Sequence, residues 1–260
     1  MLSEKERREA CEILLKAERE KKAAVQLSKT YPQIEIEDSY AIQRLVNEAK
    51  VAAGSRIIGN KIGLTSKAMQ ASSQIDEPDY GVLHDYMIIE DGAKVPFERF
   101  IVPRVEPELV FVLGKPLKGP GVGLLDVLRA TEYVVPAIEI IDARVQNPRK
   151  IFDTVADNGA AAGLVLGGRP VGPMDVDLRW AGALLYRNAD IEETGVAAGV
   201  LGHPANAIAW LANKVARFGD TLEPGRVMLS GSFTRPVWAH KGDTLRADFG
   251  SLGSLSVQFV

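Results

Sequence analysis

The stretch RVEPELVFVL, residues 104–113, decides how the chain is read. Its valines, leucines and phenylalanine have the composition of a buried strand. Yet it carries Glu106 and Glu108, separated only by Pro107. On a strand, side chains two apart point to the same side. The two carboxylates therefore share a face, about 7 Å apart at ordinary strand rise. Val105, Pro107, Leu109 and Phe111 fall on the opposite face. Pro107 has no N–H for a sheet ladder, which predicts an edge or a bulge at this point.

A second apolar run, VVPAIEIIDAR (134–144), contains Glu139. It is apolar on both faces, the mark of a central, buried strand. A buried carboxylate is costly unless it is paired or bound to a cation. One such glutamate is readily answered by a lysine, an arginine or a wet sheet face. Three in two apolar strands need a common counter-charge, and a divalent cation supplies it. Oxygen ligands without histidine or cysteine suit Mg²⁺, Mn²⁺ or Ca²⁺ rather than a structural zinc.

The rest of the chain frames these strands. Ser3 and Glu6 form a capping-box pair, and Ala10, Ile13, Leu14 and Ala17 follow at helical spacing. The apolar face is narrow, which predicts a surface helix. A second amphipathic helix carries Ile42, Leu45, Val46 and Ala49, with Gly54 placed to end it. After residue 55 the texture turns to strands, beginning with RIIGNKIGL (56–64). Pro204 opens a further helix, with Ile208, Leu211 and Val215 as its core stripe and Gly219 at its end. In GSLSVQFV (253–260), Leu255, Val257 and Phe259 alternate with polar residues, a half-buried strand. Crowded strands flanked unevenly by helices predict an α+β fold. The expected division is a helical segment over 1–55 and a catalytic domain over 56–260.

Several function classes find no support. The 260 residues carry a net charge of −3 and no basic cluster, which speaks against nucleic acid or an anionic membrane as partner. The N-terminus lacks the apolar core of a signal peptide. No apolar run approaches the ~20 residues that span a bilayer. Cys11 is the only cysteine, so no internal disulfide forms and a cytoplasmic setting is expected. There is no GxxxxGK[ST] loop, no HExxH and no GxSxG, and GPGVG (119–123) lacks the third glycine of a dinucleotide fingerprint. His203 precedes Pro204 and reads as a helix-start residue. His84 and His240 read as structural or solvent-exposed.

Several long motifs occur in order: GNKIGLTSKAMQ, EPDYG, RVEPELVFVL, VVPAIEIIDAR, DTVADN, TGVAAGVLGHPANAIAWLAN and GSFTRPV. With them the chain resembles the 2-hydroxydienoate hydratase and 4-oxalocrotonate decarboxylase group of the fumarylacetoacetate hydrolase-like superfamily. IGLTSKAMQASSQIDEPDYG, RKIFDT and SGSFTRP are most similar to members acting on 2-oxohept-3-ene-1,7-dioate in homoprotocatechuate breakdown. The resemblance implies a mixed β-roll or barrel-like sheet with peripheral helices, and a homo-oligomer. It implies Mg²⁺ or Mn²⁺ on Glu106, Glu108 and Glu139, no organic cofactor, and catalytic roles for Lys61 and Asp79. The substrate implied is a small-molecule dienoate or 2-oxo acid.

Gly59 and Gly63 flank Lys61 on its own side, which predicts open space where a ligand approaches. For a distal substrate carboxylate, Arg235 in SFTRP is the leading partner, because a guanidinium clamps a carboxylate bidentately. Arg149 and Lys150 are second choices. Only VQNP separates Arg144 from Arg149, shorter than the resemblance leads one to expect. A five-carbon 2-hydroxypenta-2,4-dienoate and 4-oxalocrotonate decarboxylation therefore stay open as alternatives. C–C hydrolysis of acylpyruvates is less expected, since no histidine lies in a matching motif. A non-catalytic partner role is opposed by the intact set of Glu106, Glu108, Glu139 and Lys61.

Overall fold

Ser3 begins the first helix as its sequence predicts. In the computed structural model its hydroxyl accepts the Glu6 N–H, and the Glu6 carboxylate accepts the Ser3 N–H at 2.7 Å. The structure describes residues 1–67, 70, 71, 75 and 77–260. The remaining positions fall within the quoted IGLTSKAMQASSQIDEPDYG motif and lie outside the described residues. Helix α1 (Glu4–Glu20) is solvated on its charged face, but its inner stripe is fully buried at Ala10 and nearly so at Cys11, Leu14 and Ala17. That stripe meets α2 (Leu27–Thr30) and α3 (Ile36–Ala52) in a cluster around Leu14, Leu27, Ile42 and Val46. Val145 and Ala156 join the same cluster from farther along the chain. Among the described residues no helix is long and apolar enough to cross a membrane.

The strands form two mixed sheets. The larger contains β1 (Ile57–Gly63), β2 (Asp79–His84), β3 (Ile88–Ile89), β5 (Arg104–Leu113), β6 (Thr131–Ile141), β7 (Ala161–Leu166), β10 (Val227–Leu229) and β11 (Val237–Trp238). Its order is β2-β1-β10-β5-β6-β7-β3, with β11 paired to β5. The smaller contains β4 (Lys94–Val95), β8 (Gly182–Arg187), β9 (Asp190–Val196), β12 (Thr244–Asp248) and β13 (Ser254–Phe259) in the order β4-β13-β12-β8-β9. Between strands lie α4 (Leu124–Ala130), α5 (Ile151–Ala156) and α6 (Ala205–Val215). This is the expected α+β arrangement.

One face of β5 and β6, with Leu109, Phe111, Ile138 and Ile140, belongs to the main core. That core also takes in Ile208, Leu211 and Val215 of α6 and Leu255, Val257 and Phe259 of β13. The stripes read from the helix and strand periods are therefore the ones buried. The other face of β5 and β6 is apolar at Val110, Val112, Val135 and Ala137. It carries the glutamates at one end.

Pro107 does not mark a bulge. The β5–β6 register runs unbroken from Arg104 to Val112, and its one shift falls between Val112 and Leu113. On its other side, β5 pairs with β11 at residues 104–105 and with β10 at residues 110–112. Pro107 sits in the gap between those pairings, where no strand asks for its missing N–H. It marks a local edge within an otherwise central strand.

Candidate active site

The register sets the site. Glu106 lies directly opposite Glu139, and Glu108 opposite Ala137. One carboxylate oxygen from each of Glu106, Glu108 and Glu139 lies within 4.8 Å of the others. Glu108 and Glu139 are buried, while Glu106 is half-buried and faces a cavity. Glu108 accepts the Gly231 N–H at 2.8 Å. Neither oxygen of Glu139 has a hydrogen-bond partner among the described residues, although the Lys61 Nζ lies 3.3 Å from one of them.

Burial, then repulsion by Glu139, pushes the Glu106 carboxyl up to about 7, against the pull of Lys61. Burial and the neighbouring glutamates raise Glu108 well above the usual carboxylate range. Burial raises Glu139 as well, with Lys61 opposing. One ammonium does not balance three crowded carboxylates. A cluster of oxygen donors short of positive charge, in which Glu139 meets the Lys61 ammonium but has no well-formed hydrogen bond among the described residues, fits a hard divalent cation.

Lys61 and Asp79 reach this cluster from β1 and β2. These strands pair with Lys61 opposite Gly81 and Gly63 opposite Asp79. Burial by itself would push the Lys61 amine down. Glu139, Asp79, Glu106 and Glu108 outweigh it and hold the amine above the ordinary lysine range. Asp79 is buried, and neither of its oxygens has a hydrogen-bond partner of good geometry among the described residues. Burial raises its carboxyl, with Lys61 pulling the other way.

The glycines beside Lys61 are held small by their neighbours. A Cβ on Gly63 would lie 2.2 Å from Asp79 Oδ1 and 3.4 Å from Lys61 Nζ. A Cβ on Gly59 would lie 1.8 Å from the Val227 carbonyl oxygen. Gly63 thus leaves room for the Asp79 carboxylate beside the lysine, and Gly59 lets β10 approach. Gly63 also lines the cavity, as its place beside Lys61 predicts, whereas Gly59 does not.

A left-handed turn walls the lysine on its other side. Asn158, Gly159 and Ala160 have φ of 56°, 60° and 60°. A Cβ on Gly159 would stand 3.2 Å from Lys61 Cδ, and one on Gly81 would stand 2.3 Å from the Asn158 carbonyl oxygen. Asn158 holds the turn in place. Its Oδ1 accepts the Val82 N–H at 2.8 Å, and its Nδ2 donates to the Val82 carbonyl at 2.8 Å. Asn47 donates to the same Oδ1 at 3.2 Å and contacts His84 Nε2 at 2.8 Å. His84 Nδ1 in turn meets the Ser55 hydroxyl at 2.9 Å. His84 is therefore a buried structural residue. His203 Nδ1 accepts the Ala205 N–H at 3.1 Å, a helix-start role, and His240 is exposed beside Asp243. The role of Asn158 was not singled out from the sequence. Its one available signal is the Asn-Gly pair, which favours positive φ.

The cavity has a volume of about 520 Å³. Lys61, Asp79, Glu106 and Glu108 line it, as do Arg104 and Arg149, and no described histidine does. Arg235 also reaches it, but its side chain is 81% exposed and pairs with Glu193 at 2.6 Å.

Comparison with known proteins agrees with this architecture. The fumarylacetoacetate (FAA) hydrolase C-terminal family matches residues 43–260. The chain is 58% identical over 251 residues to 2-oxo-hept-4-ene-1,7-dioate hydratase of Escherichia coli, covering 94% of each protein. It is 40% identical over 250 residues to 2-hydroxyhexa-2,4-dienoate hydratase of Comamonas testosteroni, covering 95% of each. Among solved structures, 4-oxalocrotonate decarboxylase from Pseudomonas putida G7, complexed with magnesium and adipate, has a TM-score of 0.97 at 34% identity. That match covers 100% of this chain and 99% of the other. On sequence and on fold, the chain belongs to the fumarylacetoacetate hydrolase family.

Proposed function

We propose that the protein is a divalent-metal-dependent hydratase of 2-hydroxy-2,4-dienoates, acting on a seven-carbon diacid of the 2-oxoheptene-1,7-dioate type in aromatic-compound breakdown. One observation carries the reading: three carboxylates with oxygens within 4.8 Å of one another, beside a buried lysine. The identity to the Escherichia coli hydratase supports the substrate class. That relative's name specifies a 4-ene, whereas the sequence motifs point to a 3-ene. The two ketones are protonation isomers of one dienol, formed by adding a proton at C3 or at C5.

In this reading Glu106, Glu108 and Glu139 would hold Mg²⁺ or Mn²⁺. Such an ion, when bound, acts as a Lewis acid that stabilises negative charge on the oxygens of a 2-oxo acid. Lys61 and Asp79 manage the protons. They take the proton of the 2-hydroxyl and deliver one to C5, which gives the 3-en-2-one. Water then adds across C3 and C4, its oxygen to C4 and a proton to C3, giving the 4-hydroxy-2-oxo acid. Burial raises the Asp79 carboxyl and so favours its proton-carrying form, while the carboxylates around Lys61 favour its ammonium. Acid–base help of this kind is worth about 10²–10⁴-fold. No step calls for an organic cofactor.

Decarboxylation of 4-oxalocrotonate is the second reading, favoured by the whole-chain fold match to that decarboxylase. Both reactions place charge on the same 2-oxo system, so product mass separates them. Freshly made 2-hydroxyhepta-2,4-dienedioate and 4-oxalocrotonate are each incubated with protein and Mg²⁺. Hydration predicts gain of one water on the first. Loss of carbon dioxide from the second, without hydration of the first, points to decarboxylation. No change in either overturns both. Assembly into a homo-oligomer, and residues 1–55 as a helical segment attached to a catalytic domain over 56–260, belong to the same proposal.

A further inference from the structure

Arg149 stands on the wall of the cavity, without an ion-pair partner among the described residues. Its Nη1 is buried and has no hydrogen-bond partner among the described residues. The other two cavity arginines are engaged. Arg104 lies 5.0 Å over the Trp238 ring, and Arg235 pairs with Glu193. Nor does Arg149 ride on a loose loop. Before it, the Gln146 N–H donates to the Ala24 carbonyl at 2.9 Å, and Gln26 Nε2 donates to the Pro148 carbonyl at 3.0 Å. After it, the Lys150 N–H donates to Asp153 at 2.9 Å. The backbone on both sides is pinned, so the guanidinium is presented on a fixed support.

A guanidinium with a buried, unpartnered Nη1 is costly, and a like charge nearby makes it more so. Burial pushes Arg149 down from the ordinary arginine range and Arg104 adds repulsion, with Asp157 and Asp153 pulling the other way. Two cationic groups facing one cavity call for a shared anion. The cavity is thus polarised, with the glutamates and Lys61 at one end and the arginines at the other. Arg104 precedes Glu106 by two residues on the same strand face, about 7 Å away along the strand. An extended seven-carbon diacid spans a comparable distance between its ends.

We propose that Arg149, flanked by Arg104, forms the subsite for the distal carboxylate of a linear dicarboxylate, and so sets the preference for diacid over monoacid substrates. Arg235 stays at the exposed mouth, tied to Glu193. The inference rests on the hydratase reading for the end of the substrate held near the glutamates. The distal contact is a bidentate, charge-assisted pair, which arginine makes better than lysine.

Two measurements test it. The first is calorimetry on the Mg²⁺-loaded protein with adipate and with hexanoate. Wild type binds adipate at least roughly tenfold more tightly, Arg149→Met abolishes the difference, and Arg149→Lys keeps part of it. The second is the ratio of kcat/KM for 2-hydroxyhepta-2,4-dienedioate to that for 2-hydroxypenta-2,4-dienoate. Arg149→Met lowers this ratio roughly a hundredfold, mainly through KM on the diacid, and Arg235→Ala leaves it near the wild-type value. A retained Mg²⁺ shift in melting temperature shows that each variant is folded with its glutamate end intact. Equal losses on both dienoates, an undiminished adipate preference in Arg149→Met, or collapse of the ratio in Arg235→Ala instead, each overturn the subsite. Should wild type hydrate neither dienoate, the hydratase reading fails, and the adipate and hexanoate affinities alone decide the subsite.

Discussion

Replacing Glu106 by glutamine should stabilise the metal-free protein at alkaline pH and abolish its response to magnesium. The Glu106 carboxyl is pushed up to about 7 by burial and by Glu139. A folded-state value raised above the unfolded one gives stability that is complete at low pH. That stability is lost as pH rises through about 7. In the ionised form the displacement corresponds to ~3 kcal/mol. Glu106→Gln keeps the shape and deletes the charge. In chelator at alkaline pH the variant should melt roughly 6–12 °C above wild type, and the gap should narrow as pH falls from about 7 and close below about 4.5. Magnesium should reverse the order. At a thousandfold excess over its dissociation constant, an ion that binds only the folded wild type adds about 4.1 kcal/mol, more than the ~3 kcal/mol gap. The variant has lost a ligand and should gain little. The assay is thermal melting of both proteins across pH, with chelator and with Mg²⁺. A variant less stable than wild type in chelator at alkaline pH, or one that keeps the full Mg²⁺ shift, would refute the reasoning.

Other perturbations separate the remaining parts. Lys61→Ala should keep Mg²⁺ affinity, measured by calorimetry, and lose about 10²-fold or more in kcat; full activity removes the lysine from the chemistry. Gly63→Ala places a methyl 2.2 Å from Asp79 Oδ1, so turnover should fall while the Mg²⁺ melting shift persists. A variant with normal kcat would mean that the Asp79 position is not needed. Asn158→Ala leaves both polar groups of Val82 without their partner. It should cost about 3 kcal/mol in denaturant unfolding, and a loss below about 1 kcal/mol would show that water replaces the side chain.

The glutamate face could be read early because a period of two is local. Glu106 and Glu108 share a side wherever the strand sits, and an apolar context alone flags Glu139. Their meeting could not be read, because the pairing of Glu106 with Glu139 is set by register between strands well separated in sequence. The same limit explains the glycines. What Gly59 and Gly63 face depends on Val227 and Asp79, on partner strands. Pro107 signalled a missing ladder bond correctly, but only the spacing of β10 and β11 decides between a gap and a bulge. Arg235 and Arg149 lie outside regular strands, where no period assigns a direction. Sequence therefore ranked them by motif, while burial and ion pairing separate them.

The central claim is that Glu106, Glu108 and Glu139 hold one divalent ion on which the reaction depends. Counting bound Mn²⁺ by electron paramagnetic resonance in wild type and in Glu139→Gln, with turnover of the diacid dienoate followed in the same samples, tests it most directly. The account predicts one ion per chain in wild type, and loss of both ion and turnover together in the variant. A Glu139→Gln protein that binds Mn²⁺ as wild type does, or a wild type that hydrates the dienoate fully in chelator, would contradict it.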